Sequence, residues 1–172
     1  ATASLFQTLG VQPLVGRVWR VDEDTPGNRL AVLSYSLWKR RFNADPGIIE
    51  RTVNMSGNPY TVIGVMPEGF EILDPAVLIL TPLGFSADRK QDRGSHFIDV
   101  VGRLRPDATL RLANAQLRAL AGRLKVEHPQ TNHATGMYAV PLLDDYVGDA
   151  RTALIALVVA VGYYLACQVG LS

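Results

Sequence analysis

The chain has 172 residues, of which 48% are hydrophobic, and this is enough for one ordinary domain or two small ones with a buried core. Its 17 basic and 16 acidic residues nearly balance, and it has no long basic run that could follow a phosphate backbone, so nucleic acid is excluded as a good candidate partner. The single cysteine, Cys167, excludes an internal disulfide and has no metal-ligand spacing around it.

The first elements along the chain are a short helix and a surface connection. A helix is predicted at 5–9, where Ser4 can cap its start and Gly10 can end it. Proline, glycine and acidic residues then interrupt the apolar periodicity up to Gly27, which predicts a loop on the surface.

Strands dominate the next part of the chain. The apolar run 30–33 predicts a strand, and Ser34 can cap a helix over 35–42. Runs at 52–55 and 60–65 predict a β-hairpin connected by residues 56–59. Two prolines bracket the later run 77–80, which indicates a short edge strand, and the polar stretch 86–95 then marks a boundary.

The segment 97–143 is predicted to form a strand, a helix and a strand in that order. The strands are expected at 97–104 and 137–143, and Thr109 can cap a helix that carries apolar residues at helical spacing over 110–124 before His128 and Pro129 end it. This order is typical of half of a ferredoxin-like unit.

The two ends of the chain suggest a piece of a larger membrane protein. The start has neither an initiator methionine nor a signal-peptide pattern, so we expect it to lie within a longer sequence. Arg151 is expected at a membrane surface, with 153–170 forming a helix that enters the bilayer, because only Gln168 in that run is strongly polar. A buried core helix is the alternative reading, since the run is somewhat shorter than about twenty residues.

Candidate catalytic residues are few. The three histidines, His96, His128 and His133, lack the spacing of metal ligands and fit surface or boundary positions. Ser95, His96 and Asp99 are the residue types of a hydrolytic triad, but no nucleophile-elbow motif accompanies them.

Acidic clusters at 22–24 and at Asp144 with Asp145 contain oxygen ligands for a hard cation, although their spacing differs from that of a calcium-binding EF-hand. Solvated loops or helix starts are the more ordinary role for such residues. The sequence therefore predicts no catalytic, cofactor-binding or metal-binding residues.

Five segments of the chain form a specific set when taken together, namely Ser4–Arg17, Val32–Phe42, Asp45-Pro46 with Arg51–Val53, Gly57–Phe70 and Arg103–Pro106. With this set the chain resembles the MacB-like periplasmic core domain of bacterial ABC-transporter permeases, and specifically the duplicated permeases that lack a fused ATPase. The similarity covers nearly the whole chain. The sequence departs from the family pattern at Glu50 and Asp107, where glycine is usual, and at Leu80, where tryptophan is frequent. The tail 167–170 also differs from the family's second membrane helix.

The resemblance implies an α+β fold in two lobes. Residues 1–27 and 90–150 would form a ferredoxin-like, mixed α/β porter lobe, 28–89 an inserted, β-rich sabre lobe, and 151–172 the truncated start of a C-terminal transmembrane helix. The resemblance also implies that the porter lobe's first strand and helix lie before Ala1.

The function implied is that of a non-catalytic, periplasm-facing domain of a bacterial inner-membrane permease. It would couple conformational change, driven by a separate cytoplasmic ABC ATPase through the rest of the permease, to a substrate or partner outside the membrane, with a periplasmic protein or lipid as the candidate substrate. No cofactor is implied. The alternative is a periplasmic lipid- or protein-binding module without transport coupling, which a large apolar pocket between the lobes would favour. A hydrolase that uses His96 is a distant third.

Overall fold

The computed structural model describes residues 1–70, 76–92, 98–133 and 136–145. The chain divides into two compact units, Ala1–Arg103 and a second unit that begins at Leu104. The helices are α1 (Ser4–Leu9), α2 (Tyr35–Phe42), α3 (Ala87–Gln91), α4 (Leu110–Glu127) and α5 (Pro129–Asn132). The strands are β1 (Val15–Gly16), β2 (Leu30–Leu33), β3 (Thr52–Met55), β4 (Asn58–Val65) and β5 (Ile79–Leu80), and short 3₁₀ turns cover Val21–Glu23 and Pro46–Ile48.

The first unit is built on a mixed five-stranded sheet with the order β1-β4-β2-β5, in which β3 also pairs with β4. Strands β2 and β4 run parallel, and the other pairs are antiparallel. Since β2 occupies one side of β4, the strands β1 and β3 share its other side, at different heights. The predicted short edge strand is confirmed, because β5 lies at the end of the sheet next to β2.

The hairpin between β3 and β4 has a tighter turn than the sequence predicted. Met55 pairs with Asn58, so only Ser56 and Gly57 connect the strands, and β4 begins two residues earlier than expected. Both turn residues have positive φ angles, 50° and 82°, which is the pattern of turns that match the twist of a hairpin. The Asn54 side chain accepts a hydrogen bond of 2.9 Å from the Gly57 amide and fixes the turn.

A β-bulge precedes β3 and sets its register. The Val62 carbonyl accepts a hydrogen bond from the Glu50 amide at 2.8 Å, and the Val62 amide donates one to the Arg51 carbonyl at 2.9 Å. Glu50 and Arg51 therefore both lie opposite the single residue Val62. Glu50 has a φ of 64°, the left-handed conformation that the first residue of such a bulge adopts most easily as glycine. The family's preference for glycine at this position therefore has a backbone cause.

Both faces of the sheet are covered, because alternating residues of β2 and β4 point to opposite sides. On one face Val32 and Ile63 pack with Phe6 of α1 and with Trp19, whose rings meet edge to face at 5.0 Å. On the other face Leu33, Val62 and Val65 pack with Trp38 of α2 and Ile48. Strand β2 and the buried part of β4, residues 62–65, are therefore continuous apolar runs, as expected for strand segments buried on both sides.

The strand β4 approaches the chain after β1 very closely at one residue. A side chain at Gly64 would overlap the Arg17 carbonyl oxygen, so glycine is required there for lack of space.

The second unit contains α4, α5 and an extended segment. The predicted cap is confirmed, because Thr109 Oγ1 accepts from the Leu112 amide at 3.2 Å, and α4 ends at His128 as expected. The Asn114 side chain makes two hydrogen bonds with the backbone of Ala139. It accepts one from the Ala139 amide at 2.7 Å and donates one to the Ala139 carbonyl at 3.0 Å.

Three predictions of local structure were wrong. Described residues 98–104 and 137–143 contain no strand, so the ferredoxin-like half is not formed within the described part of the chain. Residues 137–140 keep the alternating exposure of a strand, but an asparagine side chain takes the place of a partner strand at Ala139. Ser4 lies inside α1, where Ala3 is the capping residue and makes no side-chain bond.

The predicted lobe boundaries at 27/28 and 89/90 stay a prediction. The compact unit Ala1–Arg103 combines residues from both sides of the first boundary, because β1 joins the sheet of β2 and β4 and Phe6 joins their core. Among the described residues, no helix is both long and apolar enough to cross a bilayer. The predicted membrane helix at 153–170 lies outside the described residues.

Candidate functional site

The residues that suggested catalysis do not form a site in the described structure. Ser95 and His96 lie outside the described residues, and Asp99 is exposed. His128 joins α4 to α5, where its carbonyl accepts from the Thr131 and Asn132 amides at 3.2 and 3.0 Å, and His133 is exposed. Within the described ranges, no group of three or more histidine, cysteine or acidic residues is arranged to hold a metal ion.

The acidic residues at 22–24 hold the backbone of their own loop. Glu23 accepts two bonds from the Arg17 guanidinium, at 2.7 and 2.8 Å, and a third from the Arg20 amide at 2.8 Å. Asp22 pairs with the Arg20 side chain at 3.0 Å, and the Glu23 carbonyl accepts from the Asn28 side chain at 2.7 Å. The cluster therefore fastens the 3₁₀ turn to the chain that leaves β1.

The charges in this cluster favour the ionised states of its members. Hydrogen bonding to the Arg17 guanidinium, and then to the Arg20 amide, lowers the pKa of Glu23 from 4.5 to about 2. The same Arg17–Glu23 hydrogen bonds raise the pKa of Arg17, and hydrogen bonding to Arg20 lowers the pKa of Asp22. The Glu23 side chain is only 16% exposed, so this pair is better shielded from water than an ordinary surface ion pair.

The third acidic residue links two distant parts of the chain. Asp24 Oδ1 accepts a hydrogen bond of 2.8 Å from the amide of Gly84, sixty positions away in sequence. The loop that ends near Gly27 and the loop that leads to Ser86 therefore lie side by side. The lobe boundaries expected from the sequence, at 27/28 and 89/90, fall next to these two loops. We refer to residues 24–27 with 83–86 as the paired crossing.

Glycine is required at position 84, where the two segments of the paired crossing meet. It has a φ of 51°, and a β-carbon there would lie 2.7 Å from the Thr25 carbonyl oxygen. Any other residue would combine a strained backbone with a steric overlap. The contact is therefore a close backbone approach that one polar side chain, Asp24, fixes in place.

A shallow depression lies at the β5 edge of the sheet. Its cavity volume is about 20 Å³, and it is open to solvent. It is lined by Ser34, Met66, Phe70, Val77, Leu78 and Leu80. This room suits a water molecule and is far below the roughly 300–1,000 Å³ typical of small-molecule sites.

The partners of these acidic residues were not predicted from the sequence. Residues 22–24 were expected in a solvated loop or at a helix start, and Arg17 and Arg20 were given no role. Opposite charges separated by two to six positions around a short turn were the available signal. The Asp24–Gly84 contact had no such signal, because it joins segments that are far apart in sequence.

The mixed sheet covered by helices on both faces, with polar clusters that fasten loops, defines an α/β scaffold domain. The family model described as the MacB-like periplasmic core domain matches residues 1–120. The chain belongs to this family.

A solved structure supports the same fold. The periplasmic region of MacB from Actinobacillus actinomycetemcomitans matches with a TM-score of 0.50 and 21% sequence identity. The match covers 76% of this chain and 56% of that chain, so this chain spans little more than half of the MacB region. A comparison with curated proteins found no match.

Proposed function

We propose that this chain is an extracytoplasmic domain of an ABC-transporter permease, which couples conformational change driven by a cytoplasmic ATPase to a substrate or partner outside the inner membrane. The observation that carries the proposal is the family match over residues 1–120, together with the fold shared with the MacB periplasmic region. The ATPase would be a separate subunit that acts through the rest of the permease.

The polar clusters are consistent with mechanical transmission. A domain that passes on motion needs a stiff body and a few defined connections. The sheet supplies the body, because Val32, Leu33, Val62 and Val65 are fully buried. The paired crossing supplies a connection in which two chain segments are held together by the Asp24–Gly84 bond. We propose that residues 28–89 act as the inserted lobe and that its movement is controlled at the paired crossing.

A lipid-binding module is less well supported. Such a module buries most of its ligand in a large apolar cavity. The depression beside β5 has a cavity volume of about 20 Å³, which is too small for an acyl chain. Surface recognition of a protein or a lipid headgroup is the form of substrate handling that this part of the chain favours.

The coupling can be tested with the full-length permease and its ATPase in proteoliposomes. Thr25→Cys and Leu83→Cys would place thiols on the two segments of the paired crossing, with native cysteines replaced by serine. A short bismaleimide joining them is expected to lower ATP hydrolysis severalfold, because the crossing can no longer move. The same reagent on Thr52→Cys and Thr61→Cys, which face each other across the hairpin, should leave hydrolysis unchanged. Equal hydrolysis before and after locking of the crossing would contradict the proposed coupling.

A further inference from the structure

The long helix α4 has two different apolar sides, and only one of them faces its own unit. The first side consists of half-buried residues at helical spacing, namely Leu110, Ala113, Leu117, Leu120, Ala121 and Leu124. The second side is exposed and consists of Leu112, Ala115, Ala119, Gly122 and Val126. An ordinary surface helix has one apolar side and a polar remainder, so the second side calls for an explanation.

The exposed side follows a heptad pattern. Leu112, Ala119 and Val126 recur every seven residues, as a positions do, and Ala115 and Gly122 fall at the intervening d positions. Leu112 is 50% exposed and Val126 is 81% exposed. A β-carbon on Gly122 would meet no atom within 4 Å, so the space above this side is open. We call these five residues the outer seam.

Basic residues flank the outer seam. Arg111, Arg118 and Lys125 also recur every seven residues, at the g positions beside the seam, and Arg123 lies at an e position on its other flank. All four are exposed, and among the described residues none makes an ion pair within 4.0 Å. The stripe from Arg111 to Lys125 is about 21 Å long, since a helix rises about 1.5 Å per residue.

We propose that the outer seam is a docking surface for an acidic amphipathic helix of a partner protein. Residues at e and g positions of paired helices select partners by charge, so the basic flanks match a helix that carries glutamate or aspartate there. The small residues Ala115, Ala119 and Gly122 let a second helix approach closely, with larger apolar side chains of the partner filling the space.

Two other occupants fit the surface less well. Two copies of the seam would bring the basic flanks of one helix against those of the other, in a parallel or an antiparallel pair, and like charges repel. A membrane-surface helix needs a broad apolar side rich in leucine and aromatic residues. The seam is narrow, and Leu112 and Val126 are its only large side chains.

This inference gives the proposed permease domain a class of partner and rests on that proposal only for its extracytoplasmic setting. The experiments below measure binding at the surface of α4 only. A negative result would therefore contradict the docking surface without contradicting the family membership or the proposed coupling.

The probe is a synthetic peptide about four heptads long, with leucine at a and d and glutamate at e and g, whose like charges prevent it from pairing with itself. Fluorescence anisotropy with the full chain is expected to show binding that weakens as salt is added. A matched peptide with lysine in place of glutamate should bind at least about tenfold more weakly.

Two variants separate docking from folding. Reversal of charge in Arg118→Glu with Lys125→Glu should weaken binding of the glutamate peptide about tenfold or more. The control is Arg41→Glu with Lys90→Glu, which changes the net charge equally within the first unit and should leave binding unchanged. Gly122→Leu should raise the melting temperature, because leucine favours a helix over glycine, and yet weaken binding by closing the seam.

Equal binding of the two peptides, or unchanged affinity in Gly122→Leu, would overturn the proposal. Self-association of the chain in sedimentation that disappears in the charge-reversed variant would assign the seam to a second copy instead. Binding to phosphatidylglycerol vesicles that depends on the same residues, without binding to the peptide, would assign it to a membrane surface.

Discussion

At the scale of single residues, the bulge at Glu50 is a position where this chain carries avoidable strain. Its φ of 64° is unfavourable for a residue with a β-carbon, and its side chain is exposed. Glycine removes the strain and keeps both bonds to Val62, since these use the backbone.

We therefore expect Glu50→Gly to leave the free energy of unfolding unchanged or to raise it by up to about 1 kcal/mol. Glu68→Gly is the matched control, because Glu68 is exposed and has no positive φ, and it should lose about 0.5–1 kcal/mol through the added freedom of the unfolded chain. Urea denaturation measures both. Equal losses in the two variants would show that the bulge is not strained.

Glu23 predicts a pH dependence of stability. Its pKa is about 2 in the folded chain against 4.5 ordinarily, so its contribution is complete above about pH 5 and is lost as the pH falls toward 2. Partial exposure limits that contribution to about 1–2 kcal/mol. Thermal unfolding between pH 6 and about pH 2.5 should show a smaller acid loss in Glu23→Gln than in the parent chain.

The control for this titration is Glu68→Gln, which changes an exposed carboxylate that has no ion-pair partner in the described part of the chain. It should retain the acid loss of the parent. If Glu23→Gln retained that loss as well, the Arg17–Glu23 pair would not stabilise the folded state.

At the scale of elements, Asn114 takes over the role of a partner strand for the segment at Ala139. Asn114→Ala should strengthen α4 slightly, because alanine is the better helix former, and should free the Ala139 amide. Hydrogen exchange at Ala139 is expected to accelerate about tenfold or more, with little change at the amides of α4. Gln116→Ala is the control, because Gln116 is exposed and lies two residues further along α4, and it should leave the Ala139 amide protected. Unchanged exchange at Ala139 in Asn114→Ala would show that the side chain does not hold this segment.

The elements that local sequence patterns determine were predicted well. The strand at 30–33, the helix capped by Ser34, the hairpin and the helix capped by Thr109 all formed, because apolar periodicity and capping residues act within a few positions. The family resemblance identified from the sequence was also confirmed.

Two of the three failures concern pairing between distant segments. The runs at 98–104 and 137–143 have the composition of strands, yet a strand also needs a neighbour, and within the described residues none is supplied. The contact in the paired crossing was not predicted for the same reason. The sequence indicates that Asp24 and Gly84 are suited to loops, but it does not indicate that they meet. The partners of Asp22 and Glu23, which were expected in a solvated loop or at a helix start, are the nearby side chains of Arg20 and Arg17.

At the scale of the whole molecule, the apolar tail should be separable from the folded units. Truncation after Gly148 removes the run 153–170, which the sequence predicts to enter a bilayer. The shortened chain should be more soluble, with less self-association, and should keep a cooperative thermal transition. Loss of that transition would show that the tail belongs to a buried core.

The central claim is that this domain lies outside the inner membrane as part of a permease. It is tested most directly by labelling Thr52→Cys, on the exposed strand β3, in the full-length permease with its native cysteines replaced by serine. In bacterial cells with a permeabilised outer membrane and an intact inner membrane, a membrane-impermeant maleimide is expected to label this residue as completely as it does after lysis. Labelling that requires rupture of the inner membrane would place the domain in the cytoplasm and contradict the account.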